Sequence, residues 1–264
     1  MGQMLIDMPT LTAADRARWS ELERFDQRIG RLPARMIDEA LDEIRTFKER
    51  NPNCVCSTSW GKDSVVVAWL TRQTDPMIPL VWVPTIRADG MSYEAEATYQ
   101  VRDAFLKAFP GAYEERPATA RNPKRGDPDY NPAQFDRPDY RSQDVLKENI
   151  PEPSINGVRA EESQMRARSL RWHGVSSKNS CRPIIKWTAA QVFGLLAVNN
   201  LPVHPAYAAS HGGLLDRRWL RVHPLRSKAP ARSIVYGRDM DDWEDTYFPN
   251  LAPTRATPTK TTTR

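Results

Sequence analysis

A chain of 264 residues with 40% hydrophobic content can bury one large core, and its length allows one or two domains. Its 38 basic and 33 acidic residues leave a formal charge of +5 and a sequence pI of about 9.2, a slight basic excess that suits phosphate ligands or nucleic acid. Three cysteines exclude a disulfide framework, which points to a reducing, cytoplasmic setting, and no stretch reaches the roughly 18 apolar residues of a membrane span.

The opening MGQMLI lacks both the basic and apolar regions of a secretory signal and the Ser or Thr of a myristoylation site. Residues 12–29 place Trp19, Leu22, Phe25 and Ile29 at three- and four-residue spacing behind a capping Thr12, which predicts an amphipathic helix. A second helix is predicted over 33–50, where Met36, Ile37, Ala40, Leu41, Ile44 and Phe47 repeat at helical spacing and Asn51-Pro52-Asn53 ends it. Both are expected to be packing elements of a helical extension over residues 1–50.

Cys54 to Thr58 is short and β-prone, and the turn and SVVVAWLTRQ segment behind it predict strand, tight loop, helix. IPLVWVP (78–84) is the continuous apolar run of a strand buried on both faces of a parallel sheet. Residues 92–109 are helical again, with Ala95, Tyr99, Val101, Phe105 and Phe109 in the apolar stripe. Strands alternating with helices imply βαβ units and an α/β fold for residues 51–250.

From 117 to 156 the chain turns rich in Pro, Asp and Arg without periodicity, which predicts a long irregular loop, either a functional lid or a solvated insertion. Its Tyr130, Arg137, Tyr140 and Arg141 suit a nucleotide or nucleic-acid partner. Order resumes at Ile155-Asn156-Gly157-Val158-Arg159, a strand end with a glycine turn, and AEESQMRARSLRWHG reads as one helix. A further helix over 187–200 is capped by Thr188 and stopped by Leu201-Pro202. The Thr-, Pro- and Arg-rich residues 251–264 are expected to be a disordered tail.

The chemistry concentrates in the turn after the first strand. A strand running through Ser57 into Ser59-Trp60-Gly61-Lys62-Asp63-Ser64 and then a helix gathers backbone N–H groups, a helix N-terminus, an ammonium group and hydroxyls around one point. Gly61 lets a phosphate approach the backbone, Lys62 neutralises charge, and Ser59 and Ser64 donate hydrogen bonds. A triphosphate is the natural guest. The Walker A pattern fails, because Asp63 stands where Ser or Thr must follow Lys and Cys56 stands where a glycine is required; the dinucleotide pattern G-x-G-x-x-G fails too. Asp63 is a candidate Mg²⁺ ligand or a helix cap.

Ser-x-Gly-Lys-Asp-Ser after a strand resembles the PP-loop of N-type ATP pyrophosphatases, which cleave ATP between its α and β phosphates. Further segments match the phosphoadenosine phosphosulfate reductase-like branch in order. Gly157-Val158-Arg159-Ala160-Glu161-Glu162-Ser163 with Arg166 resembles its G-x-R-x-x-E-S-x-x-R segment, Arg182-Pro183-Ile184-Ile185-Lys186-Trp187-Thr188 its Arg-Pro-Ile-x-x-Trp-Thr segment, and Leu201 to Tyr207 its Pro-x-x-Pro-x-Tyr stretch. The resemblance spans roughly residues 40–225 and implies a Rossmann-like, adenine nucleotide α-hydrolase-like parallel sheet with flanking helices.

On this reading Ser57, Ser59, Trp60, Gly61, Lys62, Asp63, Ser64, Gly157 and Arg159 hold ATP, with Mg²⁺ at Asp63. Lys62, Asp63, Arg159, Arg166 and Arg182 serve catalysis, the arginines as bidentate partners of phosphate or sulfate oxygens or as members of surface ion pairs. Cys181 is either a sulfur acceptor activated by Lys178 and Arg182 or a buried inert thiol. The match breaks where the reductases carry a catalytic cysteine near their end, since no cysteine follows Cys181. Relatives' Gly-Cys-x-x-Cys is SHGGLLDRRWLRVHPL here, so no iron–sulfur cluster or zinc site is expected. The second family segment also differs, reading Val83-Pro84-Thr85-Ile86-Arg87 with Asp89 and Glu94 beyond.

The expected function is adenylation of a second substrate with release of pyrophosphate, the substrate being of nucleic-acid or sulfur-related type. Two alternatives start from the same loop: a non-catalytic nucleotide- or DNA-binding subunit acting through a partner protein, and sulfonucleotide reduction. An oligomer is compatible with either.

Overall fold

The computed structural model describes residues 4–29, 34–86, 92, 94–119, 148–210, 212–213, 215–218, 220, 222 and 247. Helix α1 (Ala13–Ile29) and helix α2 (Ala34–Arg50) precede strand β1 (Val55–Thr58), helix α3 (Lys62–Thr74) and strand β2 (Leu80–Trp82). Strand β3 (Thr85–Ile86), helix α4 (Glu96–Ala108), and strands β4 (Tyr113–Glu115) and β5 (Ala118–Thr119) follow. After strand β6 (Ser154–Ile155) come helix α5 (Gln164–His173), strand β7 (Ser180–Cys181) and helix α6 (Ala189–Val198).

Five strands form a parallel sheet in the order β4-β2-β1-β6-β7, and β3 pairs with β5 beside it. The fold is therefore α/β with flanking helices. β1 sits centrally because its neighbours cover it on both sides, with Cys56 opposite Leu80 on one strand and Ile155 on the other. The chain builds outward from β1 to β2 and β4, then crosses to β6 and β7. That reversal makes the β1/β6 junction a topological switch point, where parallel sheets open a crevice beyond their C-terminal ends.

Helix α3 explains why the turn after β1 is held firmly. Val65, Val66, Val67, Ala68 and Leu70 are all buried, so the helix is apolar around much of its circumference and lies inside the core. Helix α1 packs on α6 through Trp19 and Phe193, whose rings meet edge to face at 6.2 Å. The segment before α1 is tied to the far end of the chain: Ile6 N–H donates to Val203 O and Val203 N–H to Met4 O. Asp15 fastens it further by accepting from Thr12, from Ser210 N–H and Oγ, and from Tyr247 Oη at 2.8 Å. Burial works to raise the Asp15 carboxyl, but the hydrogen bonds from Thr12, Tyr247 and Ser210 outweigh it and lower the group to about 2.

Several expectations need adjustment. The expected helix from Ala160 is split: Ala160–Glu162 form a 3-10 turn, Ser163 is extended (φ −165°, ψ 157°), and its side chain accepts from Arg166 N–H to start α5. The ends of the expected 117–156 loop carry β5 and β6, while residues 120–147, with Tyr130, Arg137, Tyr140 and Arg141, lie outside the described residues, as do Arg87, Asp89 and the 251–264 tail. Strands β4 and β7 were not anticipated. Among the described residues no helix is long and apolar enough to cross a membrane.

Candidate functional site

The turn after β1 is set by Trp60. Its backbone is left-handed (φ 57°), an uncommon conformation for a large residue, and its fully buried indole packs near Trp82, Phe105 and Tyr113. The strained residue is thus anchored from inside, and the turn faces outward. Gly61 then leads into α3, and a Cβ on it would lie 3.2 Å from Tyr207 Oη. Ser59 N–H donates to Ser64 Oγ at 3.2 Å, and Ser64 Oγ donates to Gly61 O at 3.0 Å. Helix geometry leaves the first N–H groups of α3 without intrahelical acceptors, so they add a positive pole to the turn.

The loop after β6 closes on this turn from across the switch point. Gly157 approaches so nearly that an added Cβ would stand 3.0 Å from Asp63 C and O and 3.1 Å from Ser64 N. Between the two loops lies a cavity of about 230 Å³. Ser57, Ser59, Gly61, Lys62, Asp63, Ser64, Gly157 and Arg166 all line it, so most of the nominated residues converge. Arg166 reaches it from the first turn of α5, where it pairs with Glu162.

Arg159 does not line the cavity. Its side chain is 1% exposed and lies behind Asp63: Nε donates to Asp63 Oδ1 at 2.6 Å and Nη1 to Glu161 Oε2 at 2.5 Å. Lys62 Nζ takes the other Asp63 oxygen at 2.7 Å, and Glu161 Oε2 also accepts from Ala189 N–H at the start of α6. A chain of alternating charges therefore runs from the turn to α6, buried at Lys62 and Arg159 and open to water at Glu161. Burial works against the Asp63 carboxylate, but the charges of Lys62 and Arg159 and their hydrogen bonds hold it below its usual range.

Trp60 contributes its backbone to the turn and its indole to the core. Arg182 also lies away from the cavity, donating to Ser169 Oγ and to Gly174 O, and burial lowers its own pKa. Cys181 is fully buried on β7, and burial pushes its thiol up to about 12, opposite to the activation that Lys178 and Arg182 would bring. Cys54 and Cys56, beside and on β1 respectively, are buried as well, with Cys56 also raised to about 12. None of the chain's three thiols lines the cavity.

The donor set does not fit a protein-held Mg²⁺. Both Asp63 oxygens already accept from cations, Glu162 is committed to Arg166 and to Arg159 N–H, and the described residues include no group of three or more metal-ligating side chains.

Three lining residues gain roles that the sequence did not assign. Tyr207 Oη accepts from Lys62 N–H at 3.2 Å, and its ring lies 5.4 Å from Lys62 Nζ. Trp82 walls the cavity at the end of β2, and Glu162 holds Arg166. Only the Pro-x-x-Pro-x-Tyr stretch hinted at Tyr207. His204, two residues before the 3-10 turn's centre, is fully buried; burial lowers it to about 3, and its Nδ1 accepts from Ala206 N–H.

Glu94 stands apart at the foot of α4. It is 8% exposed and accepts from Thr85 N–H, and burial raises its carboxyl to about 7. Because the folded value exceeds the ordinary 4.5, the stability cost is absent below that value and grows as pH rises through 7. Glu94→Gln should therefore be more stable than wild type by about 3 kcal/mol at pH 8 and by under about 1 kcal/mol at pH 5. Urea unfolding at the two pH values checks this, and a difference that does not change with pH would refute it.

These features define an α/β protein with a cavity between two loops at the switch point of a parallel sheet. Residues 53–214 match the phosphoadenosine phosphosulfate reductase domain, and the chain belongs to that family. It is 24% identical over 211 residues to a phosphoadenosine 5'-phosphosulfate reductase from Synechococcus sp., covering 74% of this chain and 87% of the relative. A crystal structure of a phosphoadenylyl-sulfate (PAPS) reductase from Candida auris in a phosphate complex aligns with a TM-score of 0.45 and 15% identity, over 84% of this chain and 97% of that one.

Proposed function

We propose that the chain binds an adenine nucleotide with its anionic tail in the 59–64 turn, and that it cleaves ATP between the α and β phosphates to adenylate a second substrate. The observation that carries this reading is the convergence of Lys62, Arg166, the α3 N-terminus and the close-approach Gly157 on one cavity that no thiol of the chain lines. An oxygen of the second substrate attacks the α phosphorus, the bond to the bridging oxygen breaks, and pyrophosphate leaves with the electron pair. Lys62 and Arg166 offset the charge that gathers on the leaving oxygens, and Tyr207 holds the Lys62 amide in place. Arg159 acts through Asp63 by fixing Lys62.

A second reading, sulfonucleotide reduction, is favoured by the family and by the activity named for the Synechococcus relative. There the nucleotide's sulfate group leaves as sulfite while a dithiol is oxidised to a disulfide. On that reading the dithiol would come from a reductant supplied to the chain, which the burial of Cys54, Cys56 and Cys181 supports.

The deciding assay supplies ATP in one arm and a sulfonucleotide with a dithiol reductant in the other. Pyrophosphate release in the first arm, lost in Lys62→Ala together with at least about tenfold of ATP affinity, is the expected result. Sulfite release with no pyrophosphate would replace the first reading by the second. Nucleotide affinity unchanged in Lys62→Ala would move the site elsewhere.

A further inference from the structure

Helix α5 starts at the cavity mouth and keeps no side chain buried. Its ten residues include Arg166, Arg168 and Arg171 and no acid. Met165, Arg168 and Trp172 fall at i, i+3 and i+7 and share one face, bordered by Arg171. On that face Met165 is 80% and Trp172 83% exposed, and Arg168 and Arg171 are exposed too. Beneath its C-terminal half Arg182 bonds Ser169 and Gly174, adding a further positive charge. Trp172 thus offers an open aromatic face next to Arg171 and one turn on from Arg168.

We infer that the outer face of α5 binds single-stranded nucleic acid, with a base stacked on Trp172 and phosphates on Arg168 and Arg171. The chemistry matches: aromatic faces accept any unpaired base, guanidinium groups pair with phosphate, and the chain as a whole is basic. Scale favours this occupant over an acidic protein. A ten-residue helix is about 15 Å long, enough for a few nucleotides but short of the roughly 800 Å² that a stable protein interface needs from each side. A duplex keeps its bases stacked on one another and offers none to the indole. The inference deepens the proposed function by naming nucleic acid as the second substrate, since α5 begins at the mouth of the cavity, which Arg166 lines from the opposite side of the helix. It rests on that reading only in this respect.

The test is fluorescence anisotropy of a labelled oligo(dT) and oligo(rU) of about ten nucleotides with the full chain and no nucleotide. Binding should weaken about tenfold in Trp172→Ala. The slope of log affinity against log salt should shrink by about 0.7 for each of Arg168→Gln and Arg171→Gln. Lys62→Ala should bind the oligonucleotide like wild type while losing pyrophosphate release, which separates a failure of this inference from a failure of the nucleotide site. Absence of binding at low salt, indifference to Trp172→Ala, equal affinity for a duplex of the same length, or equally good competition by poly-glutamate would each overturn the assignment.

Discussion

Arg159→Ala is expected to destabilise the chain by about 3–5 kcal/mol, because it removes a buried cation and takes from the largely buried Asp63 carboxylate one of its two charged partners. The side chain is 1% exposed and joins Asp63 to Glu161 through contacts of 2.6 and 2.5 Å. Its loss strands one Asp63 oxygen and frees Glu161 from one of its two partners, the other being Ala189 N–H. Arg159→Lys keeps the charge but cannot reach both acids with a fork, so it should fall between wild type and the alanine variant. The pH dependence has a definite sign. Asp63 titrates below its ordinary value, so its contribution is present above that value and is lost as pH falls through the lowered one. The gap between wild type and Arg159→Ala should therefore narrow in acid. Denaturant titrations at neutral and acid pH provide the measurement; an alanine variant within about 1 kcal/mol of wild type at neutral pH would show that the network does not hold the turn.

The second large effect belongs to Gly157→Ala. The new methyl group would meet Asp63 C and O at 3.0 Å and Ser64 N at 3.1 Å, all backbone atoms of the first turn of α3, which cannot swing aside as a side chain can. Either α3 or the loop after β6 must shift, at about 1–3 kcal/mol for overpacking. The shift falls on the groups that face the cavity, so nucleotide affinity should drop about tenfold or more while the fold survives. Isothermal titration with ATP, beside a thermal melt, reads the two effects separately. Affinity equal to wild type would mean that the two loops do not form one site.

Much of this architecture was legible because periodicity and local chemistry agree. The repeats at Trp19 and at Ile44 mark α1 and α2, the apolar run over 78–84 contains β2, and Thr188 caps α6 through Gln191. The elements that escaped lack such signals. β4 is Tyr113-Glu114-Glu115 at a sheet edge, where charged residues are tolerated and alternation carries little information. β7 is only Ser180-Cys181 and owes its existence to pairing with β6. Ser163 breaks the expected helix because its hydroxyl bonds Arg166 N–H, a choice between two local structures that propensity leaves open.

At the site, the motif located the turn, but it did not say where long side chains point. Arg159 and Arg166 lie seven residues apart in one segment, and one is buried behind Asp63 while the other lines the cavity. Tyr207 reaches Lys62 across 145 positions of sequence, a distance no local pattern encodes.

Trp60 has a kinetic consequence. Its left-handed backbone is held by an indole locked among Trp82, Phe105 and Tyr113, so the core bears the strain of the turn before any ligand arrives. A receptor already in its receiving shape adds little ordering cost on encounter. For the proposed nucleotide, arrival should then be governed by diffusion and by shedding of hydration water, and differences in affinity among nucleotides should fall on how long each one stays.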